Sequence, residues 1–221
     1  MQKLKNGKIR IFVFIVSLLI NSLGIVLITK SALGTSSIST VPFVLSLYFP
    51  LSFGALTFLM NIAFILAQYL LLGRQGFPPI QWCQLLINII FSPAIDLWMH
   101  VFSGVVNPSL PLGLLYVLLG SMILAFGICL EVACQLLLVP GEGIVKAIAQ
   151  KLGWRLGSTK AAFDASLVVV SCILSNVFGG LGTFTGLGLG TLISALTVGR
   201  FVNLFNSHVP FIQKLYALKD A

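Results

Sequence analysis

The sequence predicts an all-α membrane protein: six transmembrane helices arranged as two inverted three-helix repeats, each with a broken or re-entrant short helix after its first span. Three observations carry this expectation. First, 58% of the 221 residues are hydrophobic, 8% are charged and the mean hydropathy is +1.08. A soluble domain carries about 25% charged residues. Second, the apolar stretch Gly24–Tyr48 breaks at Ala32–Ser37, and the same plan returns at Gly127–Lys151 with its break at Val139–Gly143. Sliding Gly24 onto Gly127 keeps register through Gly54 on Gly157 and Asn61 on Asp164, and a slightly larger shift lays Leu85–Met99 over Thr191–Phe205. Third, the basic residues sit at the ends of apolar spans. This pattern orients a membrane protein and argues against a nucleic-acid partner despite the net charge of +8.

The chain divides into a basic N-terminus (1–10), a first repeat (11–105), a second repeat (112–206) and a polar tail (207–221). Residues 1–10 carry Lys3, Lys5, Lys8 and Arg10. The uncharged run Ile11–Thr29 is long enough to span, too long for the core of a signal peptide, and is read as an uncleaved first helix. Lys30–Pro50 is the first interruption: Gly34 permits unusual backbone angles, Ser36 or Ser37 can cap a new helix, and Ile38–Tyr48 is too short to cross. Leu51–Gly73 is the second span, and Trp82–Phe102, notched at Pro93, is the third. Leu112–Leu137 is the fourth. Pro140–Gly153 is the second interruption, an amphipathic stretch whose Lys146 and Lys151 argue against spanning. Gly157–Val177 and Thr183–Phe205 complete the set. With the N-terminus inside, nearly all loop and tail cations fall on the cytoplasmic side and only Lys30 falls outside, so both termini are expected in the cytoplasm. Three spans per repeat is an odd number, so the halves must be inverted. Transporters built this way place substrate where the repeats meet.

Charge inside a membrane needs a partner or a purpose. Asp164, Glu131 and Arg200 fall in the cytoplasmic third of their helices and form the expected inner polar cluster. Asp96, with Asn61, forms an outer one. In such a cluster an arginine can neutralise one carboxylate and leave another to take up a proton, although Lys160, four residues before Asp164, can meet part of its charge locally. A purely structural ion pair stands as the alternative. The breaks supply a second candidate site, the backbone amides of Gly34, Thr35, Ser36 and Ser37 and of Gly141 and Gly143, which can hold an anionic or polar group. An ordinary capped turn is the competing reading there. Gly182, Gly186 and Gly190 recur every four residues and predict close helix packing, or an unwound stretch. The four cysteines lie within apolar segments with no disulfide or metal spacing. No nucleophile triad, metal-ligand cluster or cofactor motif is present in the sequence, so neither an enzyme, a metal nor a cofactor is expected.

The run Leu33-Gly34-Thr35-Ser36, then Pro140-Gly141-Glu142-Gly143, Lys160 with Asp164, and Gly179-Gly180 followed by Gly188-Leu189-Gly190-Thr191 and Gly199, resembles the YczE/YyaS/YitT group of bacterial membrane proteins. The resemblance runs from about Gly24 to Arg200. It departs at Ser37 and Arg200, where the group often has proline. It implies a multi-pass protein of the bacterial cytoplasmic membrane described as a permease, and it supplies neither substrate nor site. The expected function is therefore a small-solute secondary transporter, with proton coupling open to it. Its partners would be the bilayer, an unidentified small solute and a second copy of the chain. Two alternatives stand beside this: a substrate-capturing subunit that docks a separate energising complex through a stripe such as Ser17-Asn21-Gly24, and a non-transporting scaffold or regulator.

Overall fold

A computed structural model describes residues 2–217, with side chains for 7–213 and 215. Residues 218–221, with Lys219, lie outside the described residues, as do the side chains of Lys3, Lys5 and Lys214. Helices are the only regular secondary structure among the described residues, which form no strand. The helices are α1 (Gln2–Lys30), α2 (Thr40–Tyr48), α3 (Phe53–Gly76), α4 (Gln84–Val101), α5 (Leu110–Cys134), α6 (Pro140–Leu152), α7 (Leu156–Gly179), α8 (Leu189–His208) and α9 (Pro210–Ala217). Short 3-10 turns at Ser37–Ser39 and Pro79–Cys83 lead into α2 and α4.

Five helical segments are long and apolar enough to cross a membrane: Gly7–Lys30, Phe53–Gly76, Pro79–Val101, Leu110–Cys134 and Leu156–Gly179. The protein is a multi-pass membrane protein by this measure. The sequence expects six. The sixth candidate, α8, has 20 residues, and Arg200, Asn203 and Asn206 dilute its apolar character. It also starts at Leu189 rather than Thr183, because residues 180–188 are non-helical.

The centre of the fold is the antiparallel pair α1 and α5. Glycines at 113, 120 and 127 on α5 face Ser31, Ile28 and Asn21 of α1, and Gly24 of α1 faces Leu124. A methyl group on Gly24 would lie 2.5 Å from the Leu124 backbone nitrogen, so the two backbones touch. Spacing by seven on one helix keeps the contact on one seam. The Ser17-Asn21-Gly24 stripe is therefore covered within the chain: Ser17 and Asn21 are buried and Gly24 packs on α5. It is not free to dock a partner subunit. At the far end of this seam, Arg10 donates from Nε and Nη2 to the Cys134 carbonyl at 2.9 and 2.6 Å, capping α5 as Gln135 turns left-handed.

Helices α4, α8 and α9 are laid directly on this pair. α4 packs on α1, and α8 packs on α5. Each short helix crosses to the long helix of the other half: α2 lies on α7, and α6 on α3. The breaks themselves meet, with Ile38 lying on Gly141. Gly34, at φ 121°, carries the chain out of α1 against Thr191. The tail, expected to be polar and irregular, instead forms α9, whose Ile212 and Leu215 are buried beside α5.

Because no side chain fits between the backbones at Gly24, we expect Gly24→Val to cost about 3 kcal/mol, through overpacking that forces α1 off α5. Gly7→Ala, inside helix α1 where nothing lies within 4 Å, should cost nothing and raise stability by up to about 1 kcal/mol. Thermal unfolding of both variants in detergent checks the contrast.

Candidate functional site

A cavity of 590 Å³ lies where the two halves meet. Its wall takes Asn21 and Ile25 from α1, Ser36–Ser39 from the first break, Val139 from the second, Gly141 and Glu142 from the first turn of α6, Asn61 from α3, Glu131 from α5, Lys160 and Asp164 from α7, and Ser194 and Arg200 from α8. Apolar groups such as Phe64, Phe91 and Leu124 make up the rest of the surface. A largely apolar pocket with a few placed polar groups is the usual form of a small-molecule site.

The charged centre of this wall is Lys160. Its ammonium donates to Glu142 Oε1 at 2.9 Å and lies 3.6 Å from Asp164 Oδ2. α6 and α7 are joined by a turn that includes left-handed Gly153, which brings Glu142 and Lys160 together across 18 residues of sequence. One cation between two carboxylates leaves the trio acidic by one charge when all are ionised. Asp164 Oδ1 is buried and has no hydrogen-bond partner among the described residues. The sequence assigns the cationic role to Arg200. That assignment is corrected here: Arg200 is exposed on the cavity's α8 wall and makes no ion pair among the described residues. Glu142 is the closer of the two carboxylates to Lys160.

Glu131 is almost wholly buried. Asn21 Nδ2 donates to its Oε2 at 2.7 Å, and the Val139 amide donates to its Oε1 at 2.9 Å. This one carboxylate ties α1, α5 and the second break together. It also lines a second cavity, of 540 Å³, that holds Gln68, Gln81, Lys146 and Gln150, so Glu131 forms part of the wall of both. Asn21 Oδ1 has no conventional partner and rests on Gly127 of α5.

The outer cluster of Asp96 with Asn61 does not form. Asn61 belongs to the same cavity as Glu131, Asp164 and Arg200, and donates to Asn88 Oδ1 at 2.8 Å. Asp96 lies elsewhere, at the start of α3, where it accepts from the Gly54 amide at 2.7 Å and from Ser52 Oγ at 2.6 Å. A carboxylate on free amides at a helix start is favourable.

At the two breaks some of the candidate amides are already bonded within the chain. The Thr35 amide donates to Thr191 Oγ1, and the Ser39 amide to the Ser36 carbonyl. The amides of Glu142 and Gly143 both donate to the Val139 carbonyl. Gly34 packs under Thr191, Gly141 under Ile38 and Gly143 under the Gln68 amide, so these glycines allow close approach. Ser36 and Ser37 are buried on the cavity wall. The glycine stripe is corrected too. Gly182 and Gly186 lie in the non-helical 180–188 segment with φ of 87° and 78°, while Gly190 alone packs from a helix, donating to the Leu33 carbonyl at 2.7 Å. Among the described residues, no three His, Cys, Asp or Glu side chains are grouped as metal ligands would be.

Comparison with known proteins places this chain in a family. Residues 8–207 match the family of unknown function DUF6198, and the chain belongs to it. It is also similar to an uncharacterised protein of Haemophilus influenzae, 25% identical over 211 residues, covering 92% of this chain and 88% of the relative. No solved structure matches.

Glu131→Ala would leave the Val139 amide and the Asn21 amide unpartnered in a dry site, and is expected to cost about 3 kcal/mol. Glu131→Gln, which keeps an acceptor for Val139, should cost less. Arg200→Ala should leave thermal stability unchanged. Parallel unfolding curves of the three variants check this ranking.

Proposed function

We propose that this DUF6198 chain is a small-solute secondary transporter of the bacterial cytoplasmic membrane, built as two inverted three-span repeats with α8 as the sixth span. The observation that carries the reading is the cavity between the halves, lined by both helix breaks and by the Glu142–Lys160–Asp164 trio. Charged groups held this way inside an apolar bundle are the usual mark of a solute or proton pathway.

The repeat has further support. Adding 103 to the bounds of α3, Phe53–Gly76, gives those of α7, Leu156–Gly179. The crossed packing of α2 on α7 and α6 on α3 is the arrangement that exchanging the two halves would reproduce. Arg200 and Asn203, which make α8 polar, line the cavity rather than needing to meet lipid. The distribution of cations supports an orientation with both termini in the cytoplasm. The resemblance to the YczE/YyaS/YitT group points to the same membrane and the same class.

The trio is the polar anchor of the solute site, and Asp164 is the group through which solute and proton are coupled. The purified protein in detergent, screened against small metabolites and ions, is expected to give compounds that raise its melting temperature. A ligand at 100 times its Kd stabilises by about 2.7 kcal/mol. Asp164→Asn should lose that shift while still folding, and should lose uptake of the same compound in proteoliposomes. Unchanged uptake by well-folded Asp164→Asn protein would reject the role given to Asp164.

A further inference from the structure

The two halves differ in how their second and third spans pack. In the first half, α3 and α4 are packed together: Asn61 donates to Asn88, Asn88 Nδ2 donates to the Phe58 carbonyl at 3.0 Å, and Asp96 holds the Gly54 amide. Gly54 has no room for a side chain, because a methyl group there would strike the Ser92 carbonyl and the Asp96 carboxylate. In the second half, the matching helices α7 and α8 hardly touch. Both line the 590 Å³ cavity.

The repeat register puts Gly157 where Gly54 stands, Asp164 where Asn61 stands and Ser194 where Asn88 stands. Gly157 is exposed, and nothing lies within 4 Å of where its side chain would begin. It sits in the first turn of α7 with no left-handed backbone to require glycine. Glycine is the weakest helix former after proline, so this conformation gives no reason for it. Asp164 Oδ1 is buried without a partner, and Ser194 Oγ is turned back onto the carbonyl of Thr191 in its own helix. All three residues lack the contacts that their counterparts make.

We infer that Gly157 is the landing point on which α8 closes in the other state of the transport cycle, with Ser194 then donating to Asp164 as Asn61 now donates to Asn88. In that state α3 and α4 separate, Asp96 releases the Gly54 amide, and the cavity opens at the opposite end. Gly157, Ser194 and Asn88 are thus positioning residues, set apart from the trio that holds solute. The inference rests on the inverted-repeat transporter reading, and bare Gly157 carries it beyond that reading. Two conformations of one packed interface, rather than a continuous deformation, are the usual basis of such exchange.

The test uses the full chain with Ala161→Cys and Val198→Cys, which line the cavity from α7 and α8. Their counterparts, Phe58 and Ser92, belong to the closed pair. A short bis-methanethiosulfonate, which forms a mixed disulfide with each thiol and releases two methanesulfinates, is applied in proteoliposomes, and linked peptides are read by mass spectrometry, which leaves the four native cysteines in place. A 161–198 link within one chain is expected. Gly157→Leu should reduce its rate at least tenfold with an unchanged melting temperature, and Gly157→Ala should reduce it less. Asn88→Ala, which loosens the closed pair, should speed it. Absence of the link in the parent protein, a link between two chains instead of within one, or a rate indifferent to Gly157→Leu would overturn the gate. Solute uptake by a protein that never forms the link would overturn the gate alone and leave the transporter reading standing. A normal link without uptake of any solute would leave the gate and remove transport.

Discussion

Everything in this fold is hung on the contact between α1 and α5. Their backbones touch at Gly24 and Leu124, and again where Asn21 meets Gly127. In a bilayer, apolar burial gives little drive for helices to associate, because lipid tails are as apolar as leucine. Close approach of glycine-bearing surfaces is what remains. α4, α8 and α9 attach directly to this pair, while α3 and α7 are held through α4 and the short helices α2 and α6.

A second layer of organisation is electrostatic. Each charge that enters the apolar part of the molecule is met in a different way. Glu131 is held by two donors on α1 and the second break, Asp96 by the start of α3, and Arg10 by the carbonyls that end α5. The Glu142–Lys160–Asp164 trio is left less complete than any of these. A group that must exchange partners during function is drawn from the loosely satisfied end of such a range, and a group that only holds the structure is drawn from the other.

Much of the architecture was legible in the sequence. The long apolar runs gave their helices to within a few residues, since length and composition alone decide them. The first break was legible from Gly34; the second, read at Val139–Gly143, lies at residues 135–139, because Pro140 suits the first position of a helix and opens α6 rather than interrupting it. The candidate site was half legible. Glu131, Asp164 and Asn61 stood out as polar residues in apolar runs and do share one cavity. Depth along a helix, however, does not say which way a side chain faces, so Asp96 was grouped with Asn61 and Arg200 with the carboxylates. Lys160 was visible only as a local neighbour of Asp164, and its partnership with Glu142 depends on a helix-to-helix turn. The spacing of Gly182, Gly186 and Gly190 has helical period, but the positive φ at two of them decides against a helix. The tail misled because α9 shows a single apolar face, Ile212 and Leu215, too short to register as a pattern.

The Arg10 clamp has a consequence for biogenesis. Its acceptor, the Cys134 carbonyl, lies 124 residues further along the chain. Synthesis at about 5–20 residues per second separates the two by roughly 6–25 seconds. Throughout that interval α1 sits in the bilayer without its mate, with Asn21 unpaired and its glycine exposed to lipid. The first half therefore cannot mature as an independent unit. It must be sheltered, by the insertion machinery or by lipid headgroups around its basic end, until the second half arrives to lock it.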